Sequence, residues 1–373
     1  MAISMPDYRR ILIIKPSSLG DIIHALPTLA ALRDRFPSAH ITWLVKRRWA
    51  GVLARVSGLD RIWPIEPGLM GWLRLIPGLR AESFDLVIDV QGLFRSGAIA
   101  WLTGCRTRVG FANAREGSRF LYTKRIPVPM VDMHAVDRYL LVAAAVGAAP
   151  KGRPEFRMRL AATDRDRMAQ LLSGSGLASG APWIAMNASA RWNTKRWPPE
   201  HFAATADAIQ DERLARVALI GGADDRAAAD AVISRMQTTP VDLTGQTSPE
   251  LLPALLASAS LLLTNDSGPM HIAAAMNTPV VALFGPTSPL RTGPYGSTHR
   301  VLTSGVPCSP CFSRTCRNAM PLECLTTIEP KTVLEAVRAM LQEVRGSGFE
   351  ARGSSDEEKA VRGSSDQNKK GVE

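Results

Sequence analysis

A short apolar run, a loop of small residues and a helical pattern follow one another near the start of the chain and restrict its fold more than any other feature. Residues 11–14 are typical of a buried strand, and the apolar spacing after residue 21 predicts a helix. In parallel α/β sheets such a loop lies at the carboxyl edge, where ligands bind. Gly20 lets another molecule approach the backbone closely, and the helix start helps to keep Asp21 ionised. The pattern suits a general base at Asp21, and it equally suits a helix cap.

Length and composition indicate a two-domain protein of the cytoplasm. The chain has 373 residues, of which 46% are hydrophobic, enough to bury two cores. No window approaches the roughly 18 uninterrupted apolar residues of a membrane span, and the first residues lack a signal-peptide pattern. We therefore expect a cytoplasmic protein with free thiols.

The positive charge is concentrated in the first half of the chain. Of the formal net charge of +11, residues 1–150 hold 20 Lys/Arg against 11 Asp/Glu, residues 151–344 hold 19 against 17, and residues 345–373 hold 6 against 6. Such an excess attracts phosphates or carboxylates on nucleic acid, an anionic bilayer or an acidic substrate. Nucleic-acid motifs are absent and aromatic residues make up only 6%, so we expect no nucleic-acid partner.

Apolar runs and helical patterns alternate through both halves, which predicts two doubly wound α/β domains facing a central cleft. The predicted strands are 11–14, 41–45, 61–65, 84–90, 183–186, 217–220, 261–264 and 280–284, and a helix is predicted at 93–102. A linker near residues 148–154 separates domain 1–150 from domain 151–344. The tail 345–373 repeats Arg-Gly-Ser-Ser-Asp and is predicted to be disordered.

Two segments of the second half have the composition of phosphate and sugar sites. After the predicted strand 261–264, a helix start contains Asp266, Ser267 and Gly268, with His271 one turn on. Free N–H groups there suit a phosphate, and the carboxylate suits a sugar hydroxyl, although a structural cap explains the same pattern.

The second of these segments leaves the first strand of the second domain. Ser189 can donate to a phosphate, and Lys195 offers a mobile cation for a leaving diphosphate. A solvated basic loop is the alternative interpretation. The neighbouring Trp197-Pro198 pair indicates packing.

Five motifs in order give the chain a resemblance to a known family. They are KPSSLGD at 15–21, DVQGL at 89–93, KRWP at 195–198, TNDSGPMH at 264–271 and FGPTSP at 284–289. Over about residues 10–340 the chain resembles the bacterial lipopolysaccharide heptosyltransferases, which are glycosyltransferases of family nine with the GT-B fold.

The resemblance implies inverting, metal-independent transfer of heptose from ADP-heptose to a lipopolysaccharide inner-core sugar, with no required cofactor. Asp21 matches the family's catalytic base, and Lys195 matches its diphosphate-contacting lysine. The remaining donor positions implied by the resemblance are Ser189, Asp225, Thr247, Asp266, Ser267, Gly268 and His271. Ala190 departs from the family pattern, which has a second hydroxyl in the phosphate turn.

The motifs around Gln91, Arg115 and His134 look like those of the first-heptose enzyme, whose acceptor is the anionic octulosonate-lipid A. The acceptor residues we expect are Ser18, Gly20, Arg95, Arg115, Arg119 and Lys124. Residues 69–79 fit either the inner leaflet of the cytoplasmic membrane or core packing. We expect a peripheral, monomeric enzyme at the inner membrane.

Other functions stay open at this point. They are a second-heptose or other family-nine core-sugar transferase, a GT-B sugar-nucleotide epimerase, and a non-enzymatic basic protein that binds membranes or nucleic acid.

Four cysteines form a separate pattern, C-x2-C-x4-C-x7-C, at Cys308, Cys311, Cys316 and Cys324. Paired thiolates at this spacing suit a structural zinc or an iron–sulfur site, and a disulfide or free thiols are the alternatives. Cys105 has no partner in the sequence and is expected in the core.

Overall fold

The chain folds into two α/β domains, each built on a six-stranded parallel sheet. The structure is a computed structural model that describes residues 7–177 and 181–346. Its last helix includes residues 345 and 346, and the rest of the tail predicted to be disordered lies outside the described residues.

The first sheet has the strand order β3-β2-β1-β4-β5-β6, and all its neighbours are parallel. Its strands are β1 (Arg10–Ile14), β2 (His40–Lys46), β3 (Arg61–Ile65), β4 (Leu86–Asp89), β5 (Arg108–Phe111) and β6 (Lys124–Ile126). The helices of this half are α1 (Leu19–His24), α2 (Leu26–Arg35), α3 (Arg47–Leu53), α4 (Gly68–Leu73), α5 (Ile76–Ala81), α6 (Phe94–Leu102) and α7 (Ala135–Ala145).

The second sheet has the strand order β12-β11-β10-β7-β8-β9, and all its neighbours are parallel. Counted from the first strand of each sheet, this is the order of the first sheet listed in the reverse direction. Its strands are β7 (Trp183–Asn187), β8 (Arg216–Leu219), β9 (Val241–Asp242), β10 (Leu261–Asn265), β11 (Val280–Leu283) and β12 (His299–Leu302). The helices of this half are α8 (Ala162–Gly174), α9 (Pro199–Asp211), α10 (Arg226–Ile233), α11 (Leu252–Ser258), α12 (Gly268–Ala275), α13 (Pro289–Thr292), α14 (Glu323–Thr326) and α15 (Pro330–Gly346).

The central strands are apolar throughout because helices cover both faces of each sheet. On β1, Ile11 and Ile13 contribute to a core that continues from the first domain into the second, whereas Leu12 and Ile14 face a separate core on the other side of the sheet. A third core fills the outer face of the second sheet. The strand period of two therefore directs alternate residues of β1 either toward the other domain or away from it.

The chain crosses between the domains in the segment that links α7 and α8. Val56 forms an isolated antiparallel bridge with Met158, and Arg55 makes an ion pair with the buried Asp164 on α8. These two contacts hold the crossing segment and the start of α8 against the first domain.

Each sheet reverses its strand order at one point, between β1 and β4 in the first sheet and between β7 and β10 in the second. Ligands of such sheets bind at these switch points, beyond the carboxyl ends of the strands. Asp21 lies in the first turn of α1, which follows β1. The loop after β7 carries Ser189 and Lys195, and the loop after β10 carries Asp266. All the strongest sequence candidates therefore lie at the two switch points.

Asn265, at the end of β10, joins the two loops at the second switch point. Its side chain is fully buried, accepts a hydrogen bond from the backbone N–H of Trp197 at 2.9 Å and donates to the carbonyl of Ala188 at 2.8 Å. Both partners belong to the loop that carries Lys195.

Asn265→Ala is expected to leave these buried backbone groups unsatisfied, at a cost of about 1–3 kcal/mol per group in the free energy of unfolding. Urea unfolding followed by circular dichroism measures the loss. The matched control is Asn193→Ala, which removes an exposed amide from the same loop. Equal stability of the two variants would contradict the bridging role of Asn265.

Candidate active site

The carboxylate of Asp21 is held from three directions. Ser18 donates to it through its backbone N–H at 3.0 Å and through its hydroxyl at 2.7 Å. The hydroxyl of Tyr139 donates at 3.2 Å, and the ammonium of Lys15 lies 3.7 Å away. Lys15 is only 3% exposed, whereas the Asp21 side chain is 36% exposed, so the ammonium is shielded from water and the carboxylate remains accessible.

These contacts keep Asp21 ionised. Burial by itself would raise the pKa of Asp21, but the Lys15 ammonium and the Ser18 hydrogen bonds outweigh burial and hold the pKa well below its usual range. Burial would likewise lower the pKa of Lys15, and the Asp21 carboxylate reverses that effect and raises it. Asp21 is therefore a proton acceptor at neutral pH.

A second carboxylate, Asp266, positions the candidate diphosphate cation. The Lys195 ammonium donates to Asp266 at 2.5 Å, and the Thr287 hydroxyl donates to the same carboxylate oxygen at 2.6 Å. Asp266 is 6% exposed. The loops after β7, β10 and β11 thus meet at one point, with Lys195 fixed between them.

The other donor candidates follow neighbouring strands along the same sheet edge. The Ser189 hydroxyl donates to Asp225 at 2.5 Å, and the backbone N–H of Gly222 donates to Asp225 at 2.9 Å. Because Ser189 has a single hydroxyl proton, it can donate to a phosphate only by giving up this bond. Thr247 follows β9, one strand further along. Asp266, Ser189, Asp225 and Thr247 thus follow four successive strands of this sheet.

The two helix starts of the switch points touch across the cleft. A Cβ at Gly20 would lie 2.2 Å from the ring of His271, and a Cβ at Gly268 would lie 2.8 Å from the side chain of Leu19. Both glycines are therefore needed for the close approach of α1 and α12. The structure places Gly20 against His271, a contact within the protein that the sequence did not indicate.

Three histidines cluster beside this contact. The ring of His24 lies 4.2 Å from that of His271 and 5.2 Å from that of His134, measured between centroids. His134 also hydrogen-bonds the carbonyl of Gly293 at 3.1 Å, which links the domains again. Both ring nitrogens of His24 and Nδ1 of His271 have no hydrogen-bond partner within the described residues. Burial lowers the pKa of all three, and that of His271 falls to about 4.

The predicted acceptor residues differ from one another in their surroundings. Ser18 bonds Asp21, and the Arg95 guanidinium lies 5.6 Å from the ring centroid of Trp72. Arg115 lies beside the start of α6, since its backbone N–H donates to the carbonyl of Gly92 at 2.9 Å.

Arg119 and Lys124 have local partners instead. Arg119 stacks on Phe120, and the Lys124 ammonium donates to the carbonyl of Ala145 at the end of α7. Lys124 begins β6, at the sheet edge opposite the carboxyl ends. This placement does not bring Lys124 to Asp21, and its acceptor role gains no support from the fold.

Sequence reasoning gave no role to several polar residues that organise the site. These are Lys15, His24, Tyr139, Thr287 and the fully buried Asp89, which accepts from the Tyr122 hydroxyl at 2.8 Å and from the backbone N–H groups of Gln91 and Gly92. Lys15 and Asp89 could have been noticed, because a charged residue at or directly after the end of a buried strand points to a switch-point loop. Tyr139 and Thr287 gave no such signal.

The structure also bears on the metal site predicted from the four-cysteine pattern. All five cysteines, which lie within the described residues, have free thiols, and Cys105 is buried as expected. Across residues 7–177 and 181–346 no group of three or more His, Cys, Asp or Glu side chains is arranged to hold a metal ion. The predicted zinc or iron–sulfur site therefore gains no support. Burial raises the pKa of Cys324 to about 11, which also disfavours a thiolate there.

The apolar side chains of segment 69–79 are divided between the core and the surface. Trp72, Leu75 and Leu79 are buried, whereas Leu69 and Met70 on α4 are more than half exposed. In the described part of the chain, no helix combines the length and apolarity needed to span a bilayer.

The sequence profile of glycosyltransferase family 9 (heptosyltransferase) matches residues 72–321. The chain belongs to this family. It is 30% identical over 370 residues to lipopolysaccharide heptosyltransferase 1 of Pseudomonas aeruginosa, covering 89% of this chain and 98% of that protein.

Solved structures agree on the fold. A family 9 glycosyltransferase of Veillonella parvula superposes with a TM-score of 0.79 at 27% identity, covering 91% of this chain and 99% of that one. The ADP-heptose lipopolysaccharide heptosyltransferase II of Escherichia coli superposes with a TM-score of 0.74 at 26% identity, covering 90% and 99%. The expected GT-B fold and heptosyltransferase activity are confirmed, and the non-enzymatic alternative is wrong.

The histidine cluster predicts an acid-sensitive stability. Because burial lowers the folded-state pKa of His271 from 6.5 to about 4, the unfolded state binds more protons between these values. The free energy of unfolding should therefore fall as the pH drops from 6.5 toward 4, by about 1.4 kcal/mol per pH unit for His271 alone. Urea unfolding at pH 7 and at pH 4.5 should show a smaller loss for His271→Gln than for wild type. As a control, His40→Gln at the exposed first residue of β2 should lose as much stability on acidification as wild type. An unchanged loss in His271→Gln would contradict the prediction.

Proposed function

We propose that this heptosyltransferase transfers heptose from ADP-heptose with inversion to the octulosonate sugar on lipid A, using Asp21 as its general base. The observation that carries the proposal is the arrangement across the cleft. An ionised, accessible Asp21 at one switch point faces His271 and the Lys195–Asp266 pair at the other.

In the proposed reaction, the acceptor hydroxyl donates a hydrogen bond to Asp21 and attacks the anomeric carbon of the heptose. A carbon–oxygen bond forms on one face, while the bond from the anomeric carbon to the diphosphate oxygen breaks on the other, so the configuration inverts. The hydroxyl proton passes to Asp21 and then to solvent. One carboxylate is enough for this single displacement.

The strong stabilisation of the Asp21 anion fits a late proton transfer. A carboxylate whose pKa is held low by Lys15 is a weak base toward a free alcohol. As the new carbon–oxygen bond forms, the attacking oxygen becomes positive and its proton becomes acidic, so a weak base suffices. Lys15 and Tyr139 are thus positioning residues that hold the anion in place before the reaction.

On the donor side, we assign the diphosphate to Lys195 and to the N–H groups at the start of α12, without a metal ion in any step. Ser267 and Gly268 form that helix start. Asp266 and His271 then face the heptose, while Ser189 lies toward the phosphates, Asp225 toward the ribose and Thr247 toward the base. The support for this order is the succession of these residues along the edge of the second sheet.

The first-heptose acceptor is favoured by the excess of cations in the first half of the chain, among them Arg95 and Arg115 near the start of α6. The exposed Leu69 and Met70 on α4 suit contact of a cytoplasmic, monomeric enzyme with the lipid surface that holds this acceptor. A second-heptose enzyme is the alternative, since relatives of both kinds match the chain.

The assay that separates these acceptors supplies ADP-heptose with octulosonate-lipid A in one reaction and with its monoheptosylated form in another, in buffer containing EDTA. Mass spectrometry should show one added heptose on the first acceptor only, and NMR of the product should show the inverted anomer. Addition to the monoheptosylated form alone would establish the second-heptose function instead. A loss of turnover in EDTA that is restored by a metal ion would contradict the metal-independent mechanism.

Asp21→Asn keeps the shape of the side chain and removes the base, so turnover is expected to fall by about 10²–10⁴-fold. ADP affinity measured by titration calorimetry should stay near the wild-type value, because Asp21 lies in the other domain from the donor loops. Asp132→Asn, an exposed carboxylate of the same domain, is the control and should retain full turnover. Turnover near normal in Asp21→Asn would refute the assignment of the base.

A further inference from the structure

Residues 308–324, the cysteine segment, contain the four cysteines of the C-x2-C-x4-C-x7-C pattern and pack against the loop that carries Lys195. The Thr194 hydroxyl donates to the carbonyl of Ser313 in this segment at 2.9 Å. Thr194 is 6% exposed and directly precedes Lys195. A buried side chain bonded to the cysteine segment therefore holds the backbone next to the candidate diphosphate cation.

The Trp192 ring is a second contact between the same two parts of the chain. The guanidinium of Arg314, in the cysteine segment, lies 5.1 Å from the centroid of this ring, and the Lys195 ammonium lies 4.8 Å from it. Both distances are within the range of a cation–π interaction. The backbone N–H of Lys195 also donates to the carbonyl of Trp192 at 3.0 Å. The ring thus contacts both the cysteine segment and the lysine.

The cysteine segment is also attached to the loop after β11. The backbone N–H of Phe312 donates to the carbonyl of Pro286 at 2.7 Å. The residue after Pro286 is Thr287, whose hydroxyl donates to Asp266 at 2.6 Å. Asp266 in turn pairs with Lys195. The cysteine segment therefore contacts the loop that carries Lys195 and also the loop that orients the carboxylate partner of Lys195.

Two of the cysteines accept hydrogen bonds within the segment. The backbone N–H of Leu322 donates to Sγ of Cys316 at 3.3 Å, and the side-chain amide of Asn318 lies 3.7 Å from Sγ of Cys308. All four cysteines line one small cavity, and Thr194 lines the same cavity. The cysteine pattern thus belongs to the internal packing of a segment that adjoins the lysine loop.

A lysine side chain has many rotamers, so the position of its ammonium depends on what holds both ends of the chain. Asp266 and the Trp192 ring contact the ammonium, and the bond from Thr194 to the cysteine segment holds the backbone. A cation that is fixed before the ligand arrives loses less conformational entropy when it binds a diphosphate. Support at the backbone therefore favours donor affinity.

We propose that the cysteine segment positions Lys195 for the donor diphosphate, with Thr194 as the positioning residue. This inference rests on the proposed function, because the contact of Lys195 with the diphosphate is itself proposed. It gives the four-cysteine pattern a role in donor binding through contacts within the protein.

The test is ADP binding by titration calorimetry, together with steady-state kinetics in which donor and acceptor are varied in turn. Thr194→Val keeps the shape of the side chain and removes the hydroxyl. The ADP Kd and the donor KM are expected to rise about fivefold, the effect of one hydrogen bond, while the acceptor KM stays within about twofold. Thr194→Ser keeps the hydroxyl and should bind ADP within about twofold of wild type.

A double variant separates positioning from a general structural effect. Lys195→Ala removes the ammonium and should weaken ADP binding. Adding Thr194→Val to it should change the ADP Kd by less than about twofold, because no cation remains to be positioned. A structural loss would instead add to the effect of Lys195→Ala. The matched control is Thr303→Val, which alters an exposed threonine of the same domain and should bind ADP like wild type.

Three results would overturn the inference while Lys195→Ala weakens ADP binding: wild-type ADP affinity in Thr194→Val, a loss in Thr194→Ser equal to that in Thr194→Val, or additive effects in the double variant. Unchanged ADP affinity in Lys195→Ala would instead refute the diphosphate assignment made in the proposed function, and the inference with it. Circular dichroism and urea unfolding of each variant establish that the compared proteins are folded.

Discussion

The contact between the starts of α1 and α12 governs the geometry of the whole molecule. Two glycines let these helices approach until the ring of His271 lies against the backbone of Gly20 and Leu19 lies against Gly268. Each helix follows the switch-point strand of its own sheet, so this contact brings the two ligand-binding edges together. The rest of the site depends on that approach, because Asp21 belongs to one edge and Lys195 to the other.

Electrostatics in the cleft follow from burial combined with pairing. Asp21 and Asp266 are each paired with a lysine, so both carboxylates are held in fixed positions. Between them the histidines stay neutral, since burial opposes their protonation. The site therefore has charges at its walls and neutral rings at the point where the domains touch.

The sequence was sufficient for the central strands and for the chemistry-bearing loops. Strands β1, β2, β3, β7 and β10 have five to seven residues, most of them apolar, and the structure has them within one residue of the predicted bounds. Strands β5, β6, β9 and β12 were missed because they have only two to four residues and include charged or glycine positions, so that periodicity carries no signal.

Within the site, the candidate residues could be named from the sequence, but their partners could not. The bonds from Tyr139 to Asp21, from Thr287 to Asp266 and from Asp225 to Ser189 join residues between 21 and 118 positions apart. Such pairings depend on how strands are ordered in the sheet and on how helices lie over it, which local pattern does not encode. The same holds for Lys124, whose charge suggested a ligand and whose partner is the end of a helix.

The repeated strand order of the two sheets has a consequence for how such enzymes diversify. Each sheet presents its own ligand edge, and the chain passes between them through the segment that links α7 and α8. Under the proposed division of roles, substitutions on the first edge can therefore alter which sugar is modified while the nucleotide-sugar edge is retained. Residues that touch across the cleft, at the α1–α12 contact and in the histidine cluster, are the exception. A substitution there in one domain requires a matching substitution in the other.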